Sequence, residues 1–499
     1  MYISKQLMEH AIQHPERIIT SFQGHEMSYE EFYEKACNLA GYLKEEGFTN
    51  DDIIALYLPN SDSFLIAYYA CQMAGLPVLP INTKLAPPEV EYILKHSEAK
   101  ALIYDKRLEP RLQNIRLDTF RIVLELGGEN SLPVVLNDSK PNFEPQSLKG
   151  EDTAVIFYTS GTTGRPKGVM LSVSNVEAIA EIWAGSLEIT PSDRMHIVTP
   201  LFHCAASHCF SIPTIQRGGT VIIEETFSPA ETLNTMEKEK VTIFFGVPAI
   251  YSTLLNTPLM KEKDLSHLRL FAYGAAPMPY ELVKQLKTRY PDVSLQNLYG
   301  QTENSPGATT LKDEYALEKI GSVGEPLPNT EIRVINPTGQ DAAPGEVGEI
   351  LVKGPQVMKG YLKNKQATEA ALKDGWLYSG DLGRLDEDGL LYIVDRKKDM
   401  LIRGGENVYP VEVEEVLYQM EGILEAAVVG IPHDTYGEVP KAYVVLKETG
   451  QLTEEEIILH CTKNLAKYKV PNSITFIDEL PRNASGKVLK HTLREQTMV

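Results

Sequence analysis

A segment rich in glycine and hydroxyl side chains, YTSGTTGRPKGVML at residues 158–171, is the part of the chain best equipped for chemistry. Its glycines Gly161 and Gly164 permit a tight turn that exposes backbone N–H groups, and Lys167 adds a positive charge. Its hydroxyl groups belong to Thr159, Ser160, Thr162 and Thr163. Because the segment lies between a predicted strand and a predicted helix, it can wrap the β- and γ-phosphates of a nucleotide. It is not a Walker A loop, since no Gly-Lys-Ser/Thr sequence closes it.

A second segment, YGQTE at residues 299–303, combines a hydroxyl group with a carboxylate. Thr302 offers its hydroxyl to a phosphate, and Glu303 offers the hard oxygen that Mg²⁺ prefers. A divalent cation there would neutralise negative charge on bound phosphates. A single glutamate on a loop is most often a solvated surface residue, so this assignment depends on the motifs around it.

The composition indicates a globular chain with more than one domain. Its 499 residues exceed what one compact core usually accommodates. The formal net charge of −20 argues against nucleic-acid partners, because their phosphates would be repelled. Five cysteines without a CxxC pair indicate a reducing compartment and offer no zinc site. No apolar run reaches the roughly 18 residues of a membrane span and no targeting signal is evident, so we expect a cytoplasmic protein without a transmembrane segment.

The pattern of apolar runs predicts an α/β fold. From about residue 50, short β-rich runs alternate with helical patterns, as in mixed or parallel sheets covered by helices. Around residues 331–353, strands separated by turn residues predict a small β-barrel-like or antiparallel subdomain. The last part of the chain has the element order of a small α+β domain. The predicted limits are 1–395 for the N-terminal domain, 396–398 for a hinge and 399–499 for the C-terminal domain.

Five segments in sequence order resemble the signatures of the adenylate-forming superfamily, which comprises acyl- and aryl-CoA synthetases, nonribosomal adenylation domains and beetle luciferases. They are residues 158–171, YGQTE at 299–303, YSGD at 378–381, DRKKD at 395–399 and PRNASGK at 481–487. The resemblance spans nearly the whole chain and is greatest to bacterial fatty-acid:CoA ligases, through stretches such as LKDGWLYSGDLGRLDEDG. It implies a ligase that uses ATP and Mg²⁺ to convert a carboxylic acid to an acyl-adenylate, and then transfers the acyl group to coenzyme A.

The same resemblance assigns the residues that hold ATP and catalyse its reaction. Asp381 and Arg396 would contact the ribose, and Tyr299 would lie against the adenine. Lys487 would reach the reacting carboxylate and the α-phosphate, where it stabilises growing negative charge. The implied ATP-binding set is Thr159, Ser160, Gly161, Thr162, Thr163, Gly164, Lys167, Gly274, Ala275, Ala276, Asn297, Leu298, Tyr299, Gly300, Thr302, Asp381, Arg396 and Lys487. The implied metal ligands are Glu303 and Thr163, and the implied catalytic residues are Lys487, Glu303, His203 and Thr302.

For thioester formation, the resemblance assigns a different face of the C-terminal domain. Arg403, Gly404 and Gly405 would bind coenzyme A, because glycines let a pantetheine arm pass close to the backbone. The C-terminal domain would rotate about Lys398 between the two steps, as a mobile lid.

The acid pocket is predicted to be apolar. The residues assigned to it are His203, Ala205, Ala206, Phe245, Gly246, Val247, Tyr273 and Gly274. Nonribosomal adenylation domains carry an aspartate where this chain has His203, so an amino-acid substrate is disfavoured. The segments that contain these residues have no evident arginine that could pair with the second carboxylate of a dicarboxylic acid. An aliphatic chain suits such a lining, which makes a medium- or long-chain fatty acid the leading substrate.

Several alternatives are left open by the sequence. The acid can instead be an aryl or other small carboxylic acid, and the acceptor thiol can belong to an acyl carrier protein. A homodimer is compatible with the sequence. A nucleotide-binding scaffold without activity is disfavoured, because Lys167, Glu303 and Lys487 are all present.

Overall fold

The computed structural model describes residues 2–113, 115–116, 120, 122–126, 132–138, 143–159, 166–397, 399–447, 451–482 and 488–496. The strands in this part of the chain are β1 (Ile18–Phe22), β2 (His25–Ser28), β3 (Ile54–Tyr57), β4 (Val78–Pro80), β5 (Ala101–Asp105), β6 (Ile122–Leu126), β7 (Thr153–Thr159), β8 (Lys167–Ser172), β9 (Arg194–Ile197), β10 (Thr220–Ile223), β11 (Ile243–Gly246), β12 (Leu270–Gly274), β13 (Ser294–Tyr299), β14 (Thr309–Leu311), β15 (Ser322–Pro326), β16 (Glu331–Ile335), β17 (Gly348–Lys353), β18 (Gly360–Tyr361), β19 (Leu372–Lys373), β20 (Trp376–Leu385), β21 (Leu391–Arg396), β22 (Leu401–Arg403), β23 (Glu406–Val408), β24 (Ile423–His433), β25 (Gly437–Leu446) and β26 (Ser473–Phe476).

The α-helices in the same part of the chain are α1 (Tyr2–Gln13), α2 (Tyr29–Glu45), α3 (Asp62–Ala74), α4 (Pro87–Ser97), α5 (Leu132–Asn137), α6 (Val173–Ser186), α7 (Ile212–Gln216), α8 (Pro229–Lys238), α9 (Pro248–Asn256), α10 (Tyr280–Arg289), α11 (Lys365–Ala371), α12 (Pro410–Tyr418), α13 (Glu454–Asn464) and α14 (Lys490–Glu495). A π-helical segment, Ala205–Ser211, leads into α7. None of the described helices combines the length and the apolar composition needed to cross a bilayer.

The largest sheet changes from parallel to antiparallel along its width. Its order is β16-β17-β20-β21-β15-β14-β13-β12-β11-β9-β10-β1-β2, with β19 paired to β20. The strands from β1 through β10, β9, β11 and β12 to β13 pair in parallel. The strands from β13 to β16 along this order pair antiparallel. The change occurs where β13 meets β14, with Tyr299 opposite Thr309, so the YGQTE segment follows the last parallel strand.

A second sheet, in the order β18-β8-β7-β4-β3-β5-β6, shares its main apolar core with the first. Helix α3 lies within this core, and every residue from Ser63 to Ala74 is buried. This burial explains its sequence, which is apolar on all faces. The hydroxyl of Ser61 accepts a hydrogen bond from the N–H of Phe64 at the start of the helix, and Gly75 ends it with a left-handed φ of 72°. The predicted helix-covered α/β domain is confirmed.

The chain after the predicted phosphate-binding segment differs from the prediction. Lys167 begins strand β8, which pairs antiparallel with β7 and places Thr159 opposite Lys167. Helix α6, which we expected directly after the segment, begins only after β8, and Ser172 caps its N-terminus. Lys167 therefore lies at the start of a strand that separates the segment from the helix. The segment KGVMLS gives a weak strand signal because glycine and polar residues interrupt its apolar positions.

The predicted β-rich subdomain continues the large sheet. Strands β15, β21, β20, β17 and β16 pair antiparallel in that order, and β16 pairs with β17 alone among the described strands. The arrangement is an antiparallel layer, one of the two forms that the sequence allowed. It places β20 and β21 beside the end of β13.

The C-terminal part of the chain has its own sheet and its own apolar clusters. Strands β23, β22, β25 and β24 pair in that order, and β26 pairs with β25. The helices α12, α13 and α14 contribute buried residues to these clusters. A small α+β domain is therefore confirmed, but sequence analysis missed its first hairpin, β22–β23. Lys398, the predicted hinge residue, lies outside the described residues.

A buried carboxylate, Asp395, joins the last strand of the large domain to this small domain. Lys490 Nζ lies 2.8 Å from Glu414 Oε1 within the small domain. Asp395, near the end of β21, accepts a hydrogen bond from the N–H of Val411 at the start of α12, at 3.3 Å. Burial raises the pKa of Asp395 to about 6, although the charge of Lys490 opposes the shift. The contact fixes the start of α12 against the end of the large sheet.

Candidate active site

Several of the predicted site residues lie at one edge of the large sheet. The parallel strands β9, β11, β12 and β13 all end there, and Gly246, Gly274 and Tyr299 are the last residues of three of them. The pairing changes from parallel to antiparallel at β13, the strand that ends with Tyr299. In open α/β sheets, ligands usually bind in the crevice outside the carboxyl ends of the parallel strands.

A buried carboxylate, Asp381 on β20, collects hydrogen bonds at this edge. Its Oδ2 accepts from the hydroxyl of Tyr299 at 2.8 Å and from the side-chain amide of Gln301 at 2.5 Å. Its Oδ1 lies 3.3 Å from Nε of Arg396. Asp381 is 5% exposed. The structure therefore brings together three residues that the sequence assigned to the nucleotide, and it adds Gln301.

Burial and the neighbouring Asp381 raise the pKa of Tyr299 well above its ordinary value. Its hydroxyl therefore stays protonated and donates to the carboxylate. Asn297, on the same strand, donates its side-chain amide to the carbonyl oxygen of Ser322 at 3.0 Å. Leu298 is buried. The hydrogen bond of Asn297 and the burial of Leu298 therefore stabilise the strand that carries Tyr299.

Two glycines assigned to the nucleotide are required by close backbone contacts. A Cβ at Gly274 would lie 2.3 Å from the carbonyl oxygen of Leu298, and a Cβ at Gly300 would lie 2.5 Å from the carbonyl carbon of Pro306. Ala275 has a left-handed φ of 66°, which is uncommon for a residue with a Cβ. Ala275 and Ala276 are exposed, so this strained loop presents its backbone to the crevice.

The YGQTE segment turns sharply after β13 and holds its carboxylate in a defined place. Asn304 Oδ1 accepts a hydrogen bond from the N–H of Gln301 at 2.7 Å, which closes the turn. Oε1 of Glu303 accepts a hydrogen bond from the hydroxyl of Tyr361 at 2.9 Å. Thr302 Oγ1 lies 3.3 Å from Cys204 Sγ, which links the segment to the loop that carries His203.

The donor set near Glu303 suits a magnesium ion that is bound together with a nucleotide. No cluster of three or more metal-binding side chains occurs among the described residues. Mg²⁺ is commonly held by one or two carboxylates together with substrate phosphates, and it keeps several waters. A single half-buried glutamate with one oxygen fixed by Tyr361 fits that mode.

Lys167 and Tyr361 are in contact beside Glu303. The ammonium nitrogen of Lys167 lies 4.2 Å from the centre of the Tyr361 ring. Burial raises the pKa of the Tyr361 hydroxyl, and the charge of Glu303 raises it further. Sequence analysis did not select Tyr361, although it lies in VKGPQVMKGYLKN, a stretch with strong resemblance to bacterial fatty-acid:CoA ligases.

Several residues assigned to the acid pocket lie near the same edge of the sheet. Phe245 stacks on Phe210 of the π-helical segment with ring centres 4.3 Å apart. Gly246 lies opposite Tyr273 on neighbouring strands. The remaining assigned residues, Ala206, Val247 and Gly274, are buried, and Ala205 is half-buried. π-Helical segments are frequent at functional sites, and this one forms one wall of the predicted pocket.

His203 is held neutral at the start of that wall. Burial lowers the pKa of His203 to about 4, and the charge of Lys84 lowers it further. Its Nε2 atom is sealed from solvent and has no hydrogen-bond partner among the described residues. A neutral ring with an unused nitrogen can face an uncharged part of a ligand or the ligand's carboxyl group.

The predicted coenzyme A segment forms the tip of the hairpin β22–β23. Gly404 and Gly405 have φ values of 62° and 93°, as a two-residue hairpin turn requires. Nη1 of Arg403 donates to the carbonyl oxygens of Tyr468 and Val470, at 3.1 and 3.0 Å. The glycines are therefore needed for the turn itself, and the arginine anchors a neighbouring loop.

Two exposed apolar side chains beside this turn were not predicted from the sequence. Ile402 is 48% exposed and Tyr436 is 46% exposed. The Tyr436 ring lies 5.4 Å from the Arg403 guanidinium and 5.1 Å from the ring of His433. An exposed aromatic and aliphatic pair next to a glycine turn offers a surface for the apolar part of a ligand.

Part of the predicted site lies outside the described residues. These positions are Ser160, Gly161, Thr162, Thr163, Gly164, Lys398 and Lys487. Their assigned roles in phosphate binding, metal binding, hinge motion and catalysis stay predictions.

Comparison with known proteins identifies the family. The family model described as AMP-binding enzyme matches residues 7–362, and the one described as AMP-binding enzyme C-terminal domain matches residues 412–487. A feruloyl-CoA synthase of Amycolatopsis sp is 38% identical over 475 residues, which cover 95% of this chain and 94% of the relative. A long-chain-fatty-acid–CoA ligase of Mycobacterium tuberculosis is 36% identical over 472 residues, covering 94% of this chain and 93% of the relative.

A solved structure agrees over the full length. It is the o-succinylbenzoate coenzyme A synthetase from Bacillus subtilis in complex with ATP and magnesium ion, which is 33% identical, has a TM-score of 0.88 and covers 99% of both chains. Matched in sequence and in fold over both of its domains, this chain belongs to the AMP-binding enzyme family, and its resemblance to the adenylate-forming superfamily is confirmed.

Proposed function

We propose that the chain is an ATP-dependent acid:CoA ligase whose substrate is a carboxylic acid with an uncharged tail, with medium- or long-chain fatty acids as the leading candidates. In the first step a carboxylate oxygen attacks the α-phosphorus of ATP, the bond to the β-phosphate breaks, and acyl-AMP and pyrophosphate form. In the second step the thiolate of coenzyme A attacks the acyl carbon and AMP leaves. The observation that carries the proposal is the ribose-side group, in which Asp381 meets Tyr299, Gln301 and Arg396.

The nucleotide is held by groups that are already in place. A buried carboxylate can accept hydrogen bonds from both ribose hydroxyls, and Asp381 is fixed by its neighbours in one orientation. The strained backbone at Ala275 and the close approach at Gly274 shape the side of the crevice where the adenine would lie. Because these groups need not reorganise on binding, their interactions stabilise bound ATP at little entropic cost.

The triphosphate end of the site carries the charges that the reaction needs. Glu303 accepts a hydrogen bond from the hydroxyl of Tyr361, and the ammonium group of Lys167 lies over its ring. Enzymes of this family use ATP, Mg²⁺ and CoA. With Glu303 as its protein ligand, Mg²⁺ would neutralise charge on the leaving pyrophosphate. Lys167 would supply a cation to the same phosphates.

The acid pocket is suited to an uncharged tail. Its described walls are apolar or neutral, because burial lowers the pKa of His203 to about 4 and the pKa of His208 to about 3. A second carboxylate in the substrate would lose its hydration there without gaining a partner, which is costly. Lys84, whose charge influences His203, is exposed in the loop before α4.

An aryl acid is the second candidate. The feruloyl-CoA synthase of Amycolatopsis sp is 38% identical, slightly more than the fatty-acid ligase of Mycobacterium tuberculosis at 36%. An aromatic ring would stack well beside Phe210 and Phe245. An acceptor thiol on an acyl carrier protein is a further alternative. The exposed Ile402 and Tyr436 beside the glycine turn favour the pantetheine arm, which free CoA and a carrier protein share.

The test is acid-dependent exchange of labelled pyrophosphate into ATP, followed by thioester formation. The purified chain receives ATP, magnesium and one of three acids: palmitate, ferulate or 2-succinylbenzoate. We expect exchange with palmitate or ferulate and little with 2-succinylbenzoate. Conversion of the acyl group to a thioester should then require free CoA. No exchange with any of a broad panel of acids would contradict the proposed activity.

A substitution tests whether the wall that contains Ala206 contacts the acid, apart from general effects on the site. Ala206→Arg places a cation in the buried wall, and it should depress exchange with palmitate far more than with 2-succinylbenzoate. Ala249→Arg, half-buried in α9, is the matched control, because its side chain can extend to solvent. Equal losses for both acids in Ala206→Arg would contradict the assignment of this wall to the acid.

A further inference from the structure

Tyr361 connects the two charged residues at the triphosphate end of the site. Its hydroxyl donates to Oε1 of Glu303 at 2.9 Å, and the face of its ring lies 4.2 Å from the ammonium nitrogen of Lys167. Tyr361 is 7% exposed. The three residues are distant in the sequence, so their contact is a product of the fold.

The backbone around Tyr361 ties it to both partners. Strand β18 pairs with β8, which places Tyr361 opposite Val169, and the N–H of Leu362 donates to the carbonyl oxygen of Gly168 at 2.7 Å. On the other side, the N–H of Met358 donates to the carbonyl oxygen of Glu303 at 2.9 Å. The segment is therefore hydrogen-bonded to the strand that begins with Lys167 and to the turn that carries Glu303.

A second contact fixes the tyrosine itself. The N–H of Tyr361 donates to Oγ1 of Thr368 on α11 at 2.9 Å. Gly360 has a φ of 145°, and a Cβ at this position would lie 2.6 Å from Cγ2 of Thr368. The backbone that carries the Tyr361 ring is therefore hydrogen-bonded to β8, to the turn of Glu303 and to α11.

We propose that Tyr361 is a positioning residue that aligns Glu303 with the metal of bound ATP and Lys167 with its phosphates. The inference rests on the proposed function and extends it, because it assigns a role to a residue that touches neither substrate. By holding Oε1, the hydroxyl would leave Oε2 of Glu303 as the oxygen that binds the metal. By packing under the ammonium group, the ring restricts Lys167 while leaving its N–H donors for phosphate oxygens.

The two contacts of Tyr361 can be removed separately. Tyr361→Phe keeps the ring under Lys167 and removes only the hydroxyl, so it should affect the metal. Tyr361→Leu removes the ring as well, so it should also affect the phosphates. Residues that orient a metal ligand typically change metal affinity by about 10- to 100-fold when they are replaced. A role in packing alone would give a different pattern, in which Tyr361→Phe behaves as wild type.

The experiment measures binding without turnover. Mn²⁺ replaces Mg²⁺ as a paramagnetic probe, α,β-methylene-ATP serves as the nucleotide, and no acid is present. Electron paramagnetic resonance gives the Kd of Mn²⁺ in the ternary complex, and calorimetry gives the Kd of the analogue without metal. For Tyr361→Phe we expect the Kd of Mn²⁺ to rise about 10-fold, with unchanged metal-free affinity. For Tyr361→Leu we expect both values to rise.

A matched control accounts for general effects of removing a tyrosine hydroxyl. Tyr290 donates its hydroxyl to the carbonyl oxygen of Met260 at 3.1 Å, away from the site, and Tyr290→Phe should bind Mn²⁺ as wild type does. Equal Mn²⁺ affinity in wild type and Tyr361→Phe would overturn the positioning role alone. If the wild-type chain failed to form the Mn²⁺–analogue complex, the proposed function would fall and this role with it.

Discussion

Asp381 and Arg396 lie directly opposite each other on the antiparallel strands β20 and β21, with Arg396 Nε 3.3 Å from Asp381 Oδ1. The other carboxylate oxygen is shared by Tyr299 and Gln301. Because three protein donors already hold its two oxygens, the Asp381 carboxylate is oriented. Under the proposed function, ribose hydroxyls would join this carboxylate.

Asp381→Asn should weaken ATP binding strongly. The amide keeps a similar shape but loses the charge, and its NH₂ group would face the donors of Gln301 or Arg396. Hydrogen bonds to charged groups contribute about 1.5–3 kcal/mol each, so we expect the KM for ATP in pyrophosphate exchange to rise roughly 10- to 100-fold. The KM for the acid should change little.

Asp386→Asn is the control for this substitution. Asp386 follows the end of the same strand and pairs with Lys319 Nζ at 2.9 Å, outside the crevice. This variant should keep the wild-type KM for ATP, although it can lower stability slightly. An unchanged KM in Asp381→Asn would contradict the nucleotide role of the carboxylate.

The sequence was informative wherever apolar periodicity or a compact motif determined the outcome. Strands such as β11 and β12 are short runs of buried residues, and such runs are recognisable without a partner. Tyr299, Asp381 and Arg396 were selected because each lies in a recognisable segment, and the structure does bring them together. The hairpin strand β8 was missed, since its pairing with β7 depends on tertiary structure and not on local propensity.

Contacts between distant residues could not be predicted in the same way. Glu303 and Tyr361 are 58 positions apart, and no pattern in either segment indicates the hydrogen bond between them. The same holds for Gln301, whose amide reaches Asp381 across 80 positions. The glycines at 404 and 405 were interpreted as space for a ligand. Their positive φ values show that the turn of the hairpin also requires them.

Lys487→Ala should separate the two half-reactions. If Lys487 stabilises the charge that grows between the carboxylate and the α-phosphate, its loss should reduce acyl-AMP formation about 10²- to 10³-fold. Thioester formation from supplied acyl-AMP should stay within a few-fold of wild type. Lys463→Ala, on the exposed side of α13, should leave both rates unchanged. Equal loss of both half-reactions in Lys487→Ala would contradict the assignment.

Gly405→Leu should block thioester formation while leaving pyrophosphate exchange in place. A Cβ added at Gly405 would have no atom within 4 Å, so the leucine would project into the open space beside the turn, where we expect the pantetheine arm. The turn itself will also be strained, because the φ of Gly405 is 93° and a left-handed conformation costs a non-glycine residue about 1–2 kcal/mol. Rates of both half-reactions are measured at a temperature well below the unfolding transition.

Gly389→Leu is the control for Gly405→Leu, because it strains a turn without obstructing the predicted coenzyme A segment. Gly389 has a φ of 81°, has no atom within 4 Å of an added Cβ, and lies in the turn between β20 and β21. It should lose a similar amount of stability and keep thioester formation. If both leucine variants lost thioester formation to the same extent, the predicted coenzyme A segment would be wrong.

His208 should make the large domain sensitive to acid. It is fully buried in the π-helical segment, its Nε2 lies 2.9 Å from the hydroxyl of Tyr68, and burial lowers its pKa to about 3. In the unfolded chain a histidine has a pKa of about 6.5. Between these values the unfolded chain binds a proton that the folded chain does not, so stability is complete above pH 6.5 and falls as the pH drops toward 3. Between pH 7 and pH 5 this one group should cost about 2 kcal/mol.

Replacing His208 with glutamine should remove that share of the pH dependence. His208→Gln can still hydrogen-bond the hydroxyl of Tyr68 but does not titrate, so it can be less stable at pH 7 and yet lose about 2 kcal/mol less than wild type on going to pH 5. Urea unfolding followed by the fluorescence of the buried Trp183 measures the difference. His25→Gln, at an exposed position of β2, should keep the wild-type pH dependence. A wild-type pH dependence in His208→Gln would mean that the His208 ring accepts its proton in the folded protein. The interpretation of the π-helical wall as neutral would then be wrong.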